Sequence, residues 1–193
     1  HCVTGVSDVC SSDLESLDHA GIANRARVIV QRIEAEEVGS RGADAMLGGV
    51  DGILVPGGFG MRGVEGKIEA IRYARTRGIP FFGICLGMQC AAVEFARSVL
   101  GREDANSTEF DQTTQNPVIA LMEDQSRVRQ RGGTMRLGSW PCELTPDSLA
   151  SKAYGNDTVH ERHRHRYEFN NDYRKTFEES GFEATGVSPD GSL

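Results

Sequence analysis

Apolar positions in the N-terminal half of the chain alternate between short continuous runs and a spacing of three to four residues. These are the rhythms of buried strands and of amphipathic helices. A short strand near Val3 to Val6 has weak support, and Leu14, Leu17 and Ala20 then share a helical face that Gly21 can end. Arg27 to Ile33 reads as a strand with Val28 and Val30 on one face. A helix is expected over about Glu36 to Leu47, closed by Gly48-Gly49. Asp51 to Val55 is a strand that runs into Pro56-Gly57-Gly58-Phe59-Gly60. The spacing of Ile68, Ile71 and Ala74 predicts a helix over Glu65 to Arg77, stopped at Gly78-Ile79-Pro80. Phe81 to Ile84 is again strand, and Met88, Ala91, Ala92, Phe95 and Val99 return at helical spacing. This alternation predicts an α/β fold: an open, mostly parallel sheet with helices on both faces.

Beyond Gly101 the pattern changes. Arg102 to Gln115 is polar and reads as loop, Pro117 to Met122 as strand, and Glu123 to Arg131 as a charged segment. Gly132 to Leu137 and Trp140 to Leu144 suggest antiparallel strands added to the main sheet. A short helix over Asp147 to Tyr154 has Asp147 as its expected cap, and a second over Asp172 to Ser180 is capped by Gly181. Phe182 to Val187 reads as a strand, and Ser188-Pro189-Asp190-Gly191 is a hairpin turn signal. A returning strand is expected after that turn, so Leu193 reads as a cut inside the fold.

At 193 residues one well-buried domain is expected, and five scattered cysteines without zinc spacing point to reduced thiols. The net charge of −7 offers no global attraction for nucleic acid or an anionic membrane. No apolar run is long enough to span a bilayer and no leader pattern precedes a cleavage site, so a cytoplasmic protein is expected.

Cys85 stands between glycines where a strand turns into a helix, in Gly83-Ile84-Cys85-Leu86-Gly87-Met88-Gln89. A tight turn of this kind lifts its apical side chain clear of the backbone, and the helix N-terminus beside it favours a thiolate. Cys85 is therefore the candidate nucleophile; the alternative is a buried cysteine at the end of a core strand. Gly57-Gly58 follows the preceding strand and can bring backbone N–H groups against a phosphate or an oxyanion, or can be a plain connection. In a parallel sheet both features belong at strand carboxyl ends, facing one site. His160-Glu161-Arg162-His163-Arg164-His165-Arg166-Tyr167 concentrates base in an acidic chain. A metal site at His163 and His165 fits poorly among arginines; a nucleic-acid contact, a carboxylate-binding segment and a solvated charged loop are the other readings.

The chain resembles the glutamine amidotransferase domains of the CTP synthase family, triad-type (class I) glutaminases of flavodoxin-like architecture. The resemblance runs over about residues 15 to 193 and rests on Val55 to Gly60 with Arg62 to Lys67, on Gly83 to Gln89, and on Ala105 to Phe110. Gly132 to Gly138 and Glu161 to Asn170 complete it. It implies hydrolysis of L-glutamine, with ammonia passed to a synthetase domain that uses ATP and magnesium to aminate UTP to CTP. It implies no cofactor or metal in this domain, and a homo-oligomer for the full-length protein. By the same resemblance Cys85 is the nucleophile, and the N–H groups of Gly58 and Leu86 form an oxyanion hole, with glycine at 58 so that no side chain intrudes. Gly58, Leu86, Gly87, Met88, Gln89, Glu109 and Arg166 then bind glutamine, and the rest of the basic segment faces the synthetase domain. The family's remaining triad members, a histidine and a glutamate, lie in a His-Pro-x-Phe to His-Pro-Glu region. None of His1, His19, His160, His163 or His165 matches it, so little glutaminase turnover is expected of this chain. Residues 1 to 14 match no family strand and read as foreign sequence.

Overall fold

A computed structural model describes residues 2–5, 11–121 and 136–191. Its residues fall into two units, 1–98 and 99–193.

The first unit is built on a four-stranded parallel sheet in the order β2-β1-β3-β4, from β1 (Cys2–Gly5), β2 (Val30–Ile33), β3 (Ile53–Val55) and β4 (Phe81–Gly83). In register, Val3 lies beside Ile53, Ile53 beside Phe81 and Val55 beside Gly83. The weakly supported first strand is therefore an inner strand. All three residues of β3 are buried, which is why it reads as a continuous apolar run. Helix α1 spans Ser11–Ala23, longer than its pattern predicts. The single helix expected over 36–47 is two, α2 (Ala35–Arg41) and α3 (Ala43–Leu47), broken at Gly42, whose φ of 87° no helix continues through.

Helix α4 (Val64–Arg77) buries Ile68, Ile71 and Ala74 as expected, and packs on α2, β3 and α5 (Leu86–Ser98). Of the face expected to point inward on α5, Ala91, Ala92 and Phe95 are buried. Met88 in the first turn and Val99 past the last, at the two ends of the helix, are exposed. Arg75 on α4 grips Glu94 on α5 through two hydrogen bonds of 2.9 and 2.8 Å, and the Glu94 side chain is only 1% exposed.

In the second unit the strands form two sheets of their own rather than additions to the parallel sheet. One is β5 (Asn106–Ser107), β6 (Pro117–Leu121) and β9 (Tyr167–Phe169); the other is β10 (Gly186–Val187), β7 (Arg136–Leu144) and β8 (Thr158–His165). The basic segment is thus a strand and not a loop, antiparallel to β7 with His165 opposite Arg136 and His163 opposite Gly138. Helix α6 (Leu149–Tyr154) is capped by Ser148, whose hydroxyl accepts from the Ser151 N–H at 3.0 Å; Asp147, the expected cap, sits one residue too early. A 3-10 turn (Asn171–Tyr173) leads into α7 (Arg174–Glu179). Phe177 is packed edge-on by Phe169 and Phe182 at 5.0 and 5.4 Å, so Phe182 belongs to a small aromatic core and the strand begins only at Gly186. The 188–191 turn forms, closed by the Gly191 N–H on the Ser188 carbonyl. Met122, the charged segment 123–131 and the glycines at 132 and 133 lie outside the described residues.

Candidate active site

The chain leaves β4 and enters α5 in a space too small for side chains at two positions. A Cβ on Gly83 would come within 2.7 Å of the Gly87 carbonyl carbon and the Met88 nitrogen, and a Cβ on Gly87 would overlap the Val55 carbonyl oxygen. The turn is pinned to β3 by the Ile84 N–H, which donates to the Val55 carbonyl at 2.9 Å. Between these constraints Cys85 takes φ 54°, the left-handed region that a residue with a Cβ enters at a cost. Its thiol is half-buried, and its carbonyl accepts from the Gln89 N–H at 3.1 Å as α5 begins. The N–H groups of Leu86, Gly87 and Met88 open that helix, the Gly87 N–H donating to the Ile84 carbonyl at 2.9 Å just ahead of it, and the aligned peptides put positive potential beside the thiol.

The glycine loop after β3 comes to the same place. A Cβ built on Gly57 would lie 3.4 Å from Cys85 Cβ and 3.9 Å from its Sγ. At Gly58 a Cβ would touch Leu86 Cδ2 at 3.5 Å, an ordinary contact, and the φ there is not positive, so the steric demand for glycine expected at 58 falls instead on 83 and 87. Leu86 and Gln89 are buried, Gly87 is covered by β3, and Met88 is exposed. Two buried charged side chains of the first unit, among the described residues, were given no role by the sequence reading. Glu94 is one, and Lys67 on α4 is the other; only 4% exposed, it lies with Nζ 4.0 Å from the Cβ built on Gly58. The regular spacing of α4 would have marked Lys67, since it stands next to Ile68 on the inner side. Cys90, one turn along α5, is unlike Cys85: burial pushes its thiol up to about 12, leaving it a protonated core residue.

Glu109 and Arg166 belong to the second unit. Glu109 follows a tight turn in which the Ser107 hydroxyl accepts its N–H at 3.2 Å and the Thr108 N–H reaches the Ile119 carbonyl. Burial raises the Glu109 carboxyl above its ordinary value, and the Arg166 guanidinium partly opposes this, so the two are electrostatically coupled. Arg166 is the bend between β8 and β9. Strand alternation turns Arg162 and Arg164 outward and His163 and His165 inward, around Arg136. The Arg136 guanidinium lies 2.6 Å from His163 Nδ1 and 3.4 Å from Glu168 Oε1. Burial, then the Arg136 charge, hold His163 down to about 4 and His165 below its usual value, while burial raises Glu168. The period-two placing of the histidines was the signal for this cluster.

A profile for "Glutamine amidotransferase class-I" matches residues 6–193. The chain belongs to the class-I glutamine amidotransferase family. Among sequence relatives it is 55% identical over 188 residues to a CTP synthase of Synechococcus sp. (strain JA-3-3Ab) and 58% identical over 179 residues to that of Geotalea uraniireducens. These alignments cover 97% and 93% of this chain but 35% and 34% of those proteins, so the chain spans about a third of the length of the curated relatives it matches. Among solved structures, the glutaminase domain of Trypanosoma brucei CTPS with bound acivicin superposes with a TM-score of 0.89 at 34% identity, covering all of this chain and 76% of that one. A glutamine amidotransferase of Thermotoga maritima, 16% identical with a TM-score of 0.51 over 88% of this chain and 62% of that one, shares the fold.

Proposed function

We propose that this amidotransferase chain is the glutamine-hydrolysing domain of a CTP synthase, which supplies ammonia to a synthetase domain that aminates UTP to CTP. The observation that carries the reading is Cys85, strained at φ 54° at the start of α5 and lying against Gly57. In the reaction the Cys85 thiolate adds to the side-chain carbonyl carbon of glutamine; the carbonyl π pair moves to oxygen, giving a tetrahedral oxyanion. The N–H groups of Gly58 and Leu86 receive that oxyanion, Leu86 with the helix dipole behind it. The proton that the Cys85 thiol gives up on ionising balances the one the leaving nitrogen takes up, so collapse expels ammonia and leaves a thioester, which water hydrolyses to glutamate and the free thiol. Gly87, Met88 and Gln89 border the substrate, Glu109 takes its α-ammonium group and Arg166 its α-carboxylate. Glu109 and Arg166 are a coupled acid and base of the kind an amino acid's two charges need.

The domain needs no cofactor of its own in this reading. ATP and magnesium belong to the synthetase domain in the same reading. No helix among the described residues is long and apolar enough to cross a membrane. Free thiols at Cys85, Cys90 and Cys142 suit a reducing cytoplasm, and a homo-oligomer follows by the family resemblance.

The test is covalent labelling of the chain with acivicin, the electrophilic amino acid named with the trypanosomal domain. Peptide mapping is expected to find it on Cys85, with L-glutamine protecting and Cys85→Ser abolishing the adduct. Absence of labelling, or equal labelling of Cys142, would rule the reading out. CTP formation from UTP, ATP and glutamine by the protein joined to its synthetase domain distinguishes this synthase from another.

A further inference from the structure

Lys67 is a lysine 4% exposed, and among the described residues no hydrogen bond or ion pair holds its ammonium. The charged groups around it are already engaged. Glu36 on α2, whose carboxyl Lys67 helps to lower, is bound by Arg62 at 2.5 Å; Glu65 on α4 is bound by Arg97 on α5 at 3.0 Å. Cys90 on α5 feels Lys67, Glu65 and Arg97, but burial keeps its thiol neutral. An ammonium out of water without its own counter-charge opposes folding. Its position shows what it could serve. The same point in space, the Cβ built on Gly58, lies 4.0 Å from Lys67 Nζ and 3.5 Å from Cδ2 of Leu86, the first residue of α5, so both side chains approach Gly58. The Lys67 ammonium and the first turn of α5 thus both bring positive potential near Gly58, and among the described residues no carboxylate is hydrogen-bonded to that ammonium. Glutamine hydrolysis would create a negative charge in its tetrahedral intermediate.

We propose that Lys67 is a positioning residue for glutamine hydrolysis: its buried ammonium, beside Gly58, adds positive potential where the oxyanion develops. This rests on the glutaminase reading above. Lys67 exchanges no proton. The Sγ–C bond forms as the carbonyl π pair moves to oxygen, and Lys67 acts on the charge developing there from beside Gly58.

Lys67→Met keeps the length of the side chain and removes the charge. In the chain as it stands, the variant is expected to be labelled by acivicin about tenfold more slowly, the scale of losing one charge that acts from beside Gly58. The pH profile for alkylation of Cys85 by iodoacetamide should move to higher pH, while the urea midpoint stays level or rises because an uncompensated buried charge is gone. Lys67→Arg should retain the wild-type pH profile. Acivicin labelling at the wild-type rate with an unshifted profile would overturn the proposal, and so would a Lys67→Met chain that loses stability, which would make the lysine a structural group. A wild-type chain alkylated at Cys85 by iodoacetamide but ignored by acivicin sinks the glutaminase reading instead; the iodoacetamide profile then still decides whether Lys67 bears on the site.

Discussion

Cys85 takes φ 54° between Gly83 and Gly87, where the chain folds back too closely for a side chain at either glycine. A left-handed residue with a Cβ costs roughly 1–2 kcal/mol, and glycine removes that cost while adding roughly 0.5–1 kcal/mol of unfolded-state entropy. Cys85→Gly is therefore expected to stabilise the chain by up to about 1 kcal/mol while abolishing acivicin labelling. Urea unfolding checks it: a midpoint shifted down by the equivalent of more than about 1 kcal/mol at unchanged slope would mean the side chain supports the fold instead of straining it. Short-range geometry of this kind is legible in a sequence, because the glycines, the cysteine and the helix start all lie within Gly83 to Gln89. Lys67 was not legible as a partner of Gly58, since nothing in its own segment tells which loop its ammonium reaches.

Among the elements, α4 and α5 carry the glycine loop and the elbow, and the Arg75–Glu94 pair joins them. Glu94 is fully enclosed and Arg75 a third exposed, so removing the carboxylate leaves a guanidinium only partly able to find water. Glu94→Gln is expected to cost about 2 kcal/mol, discounted from the fully buried case for the exposure of Arg75. The double change Arg75→Met with Glu94→Met should recover most of it, and a single change costing under about 0.5 kcal/mol in urea unfolding would show the pair to be a surface contact. Elements with a clean period, β3 and α4 above all, were readable in advance. The α2–α3 break was not, because a glycine inside an apolar-periodic stretch marks a break only when its φ is known. The strand character of β8 was hidden by its charge, since pairing with β7 outweighs the low strand preference of its polar residues.

At the scale of the molecule, acid should act through the second unit. His163 is neutral in the fold, with its value depressed to about 4 from 6.5, and His165 is depressed in the same direction. Their contribution to stability is complete above 6.5 and is lost as the pH falls through the folded value. Glu168, raised by burial, works in the opposite sense, with the Arg136 guanidinium lying beside it and His163. Thermal melts between these two pH values should show a falling melting temperature that His163→Asn makes shallower; an equal slope in the variant would place the acid sensitivity elsewhere. This cluster brings Arg136 from β7 onto β8 and β9, a long-range encounter that strand periodicity marks only on its own strand. The Val55 carbonyl has a further consequence, for the order in which the molecule assembles. It receives the Ile84 N–H and also occupies the space that a side chain at 87 would need, so the bend around Cys85 has no template until residues 53–55 and 81–83 have paired. While the polypeptide is being made, the thiol is an ordinary one on a flexible chain, and its exceptional backbone arises only when the helix that follows it docks.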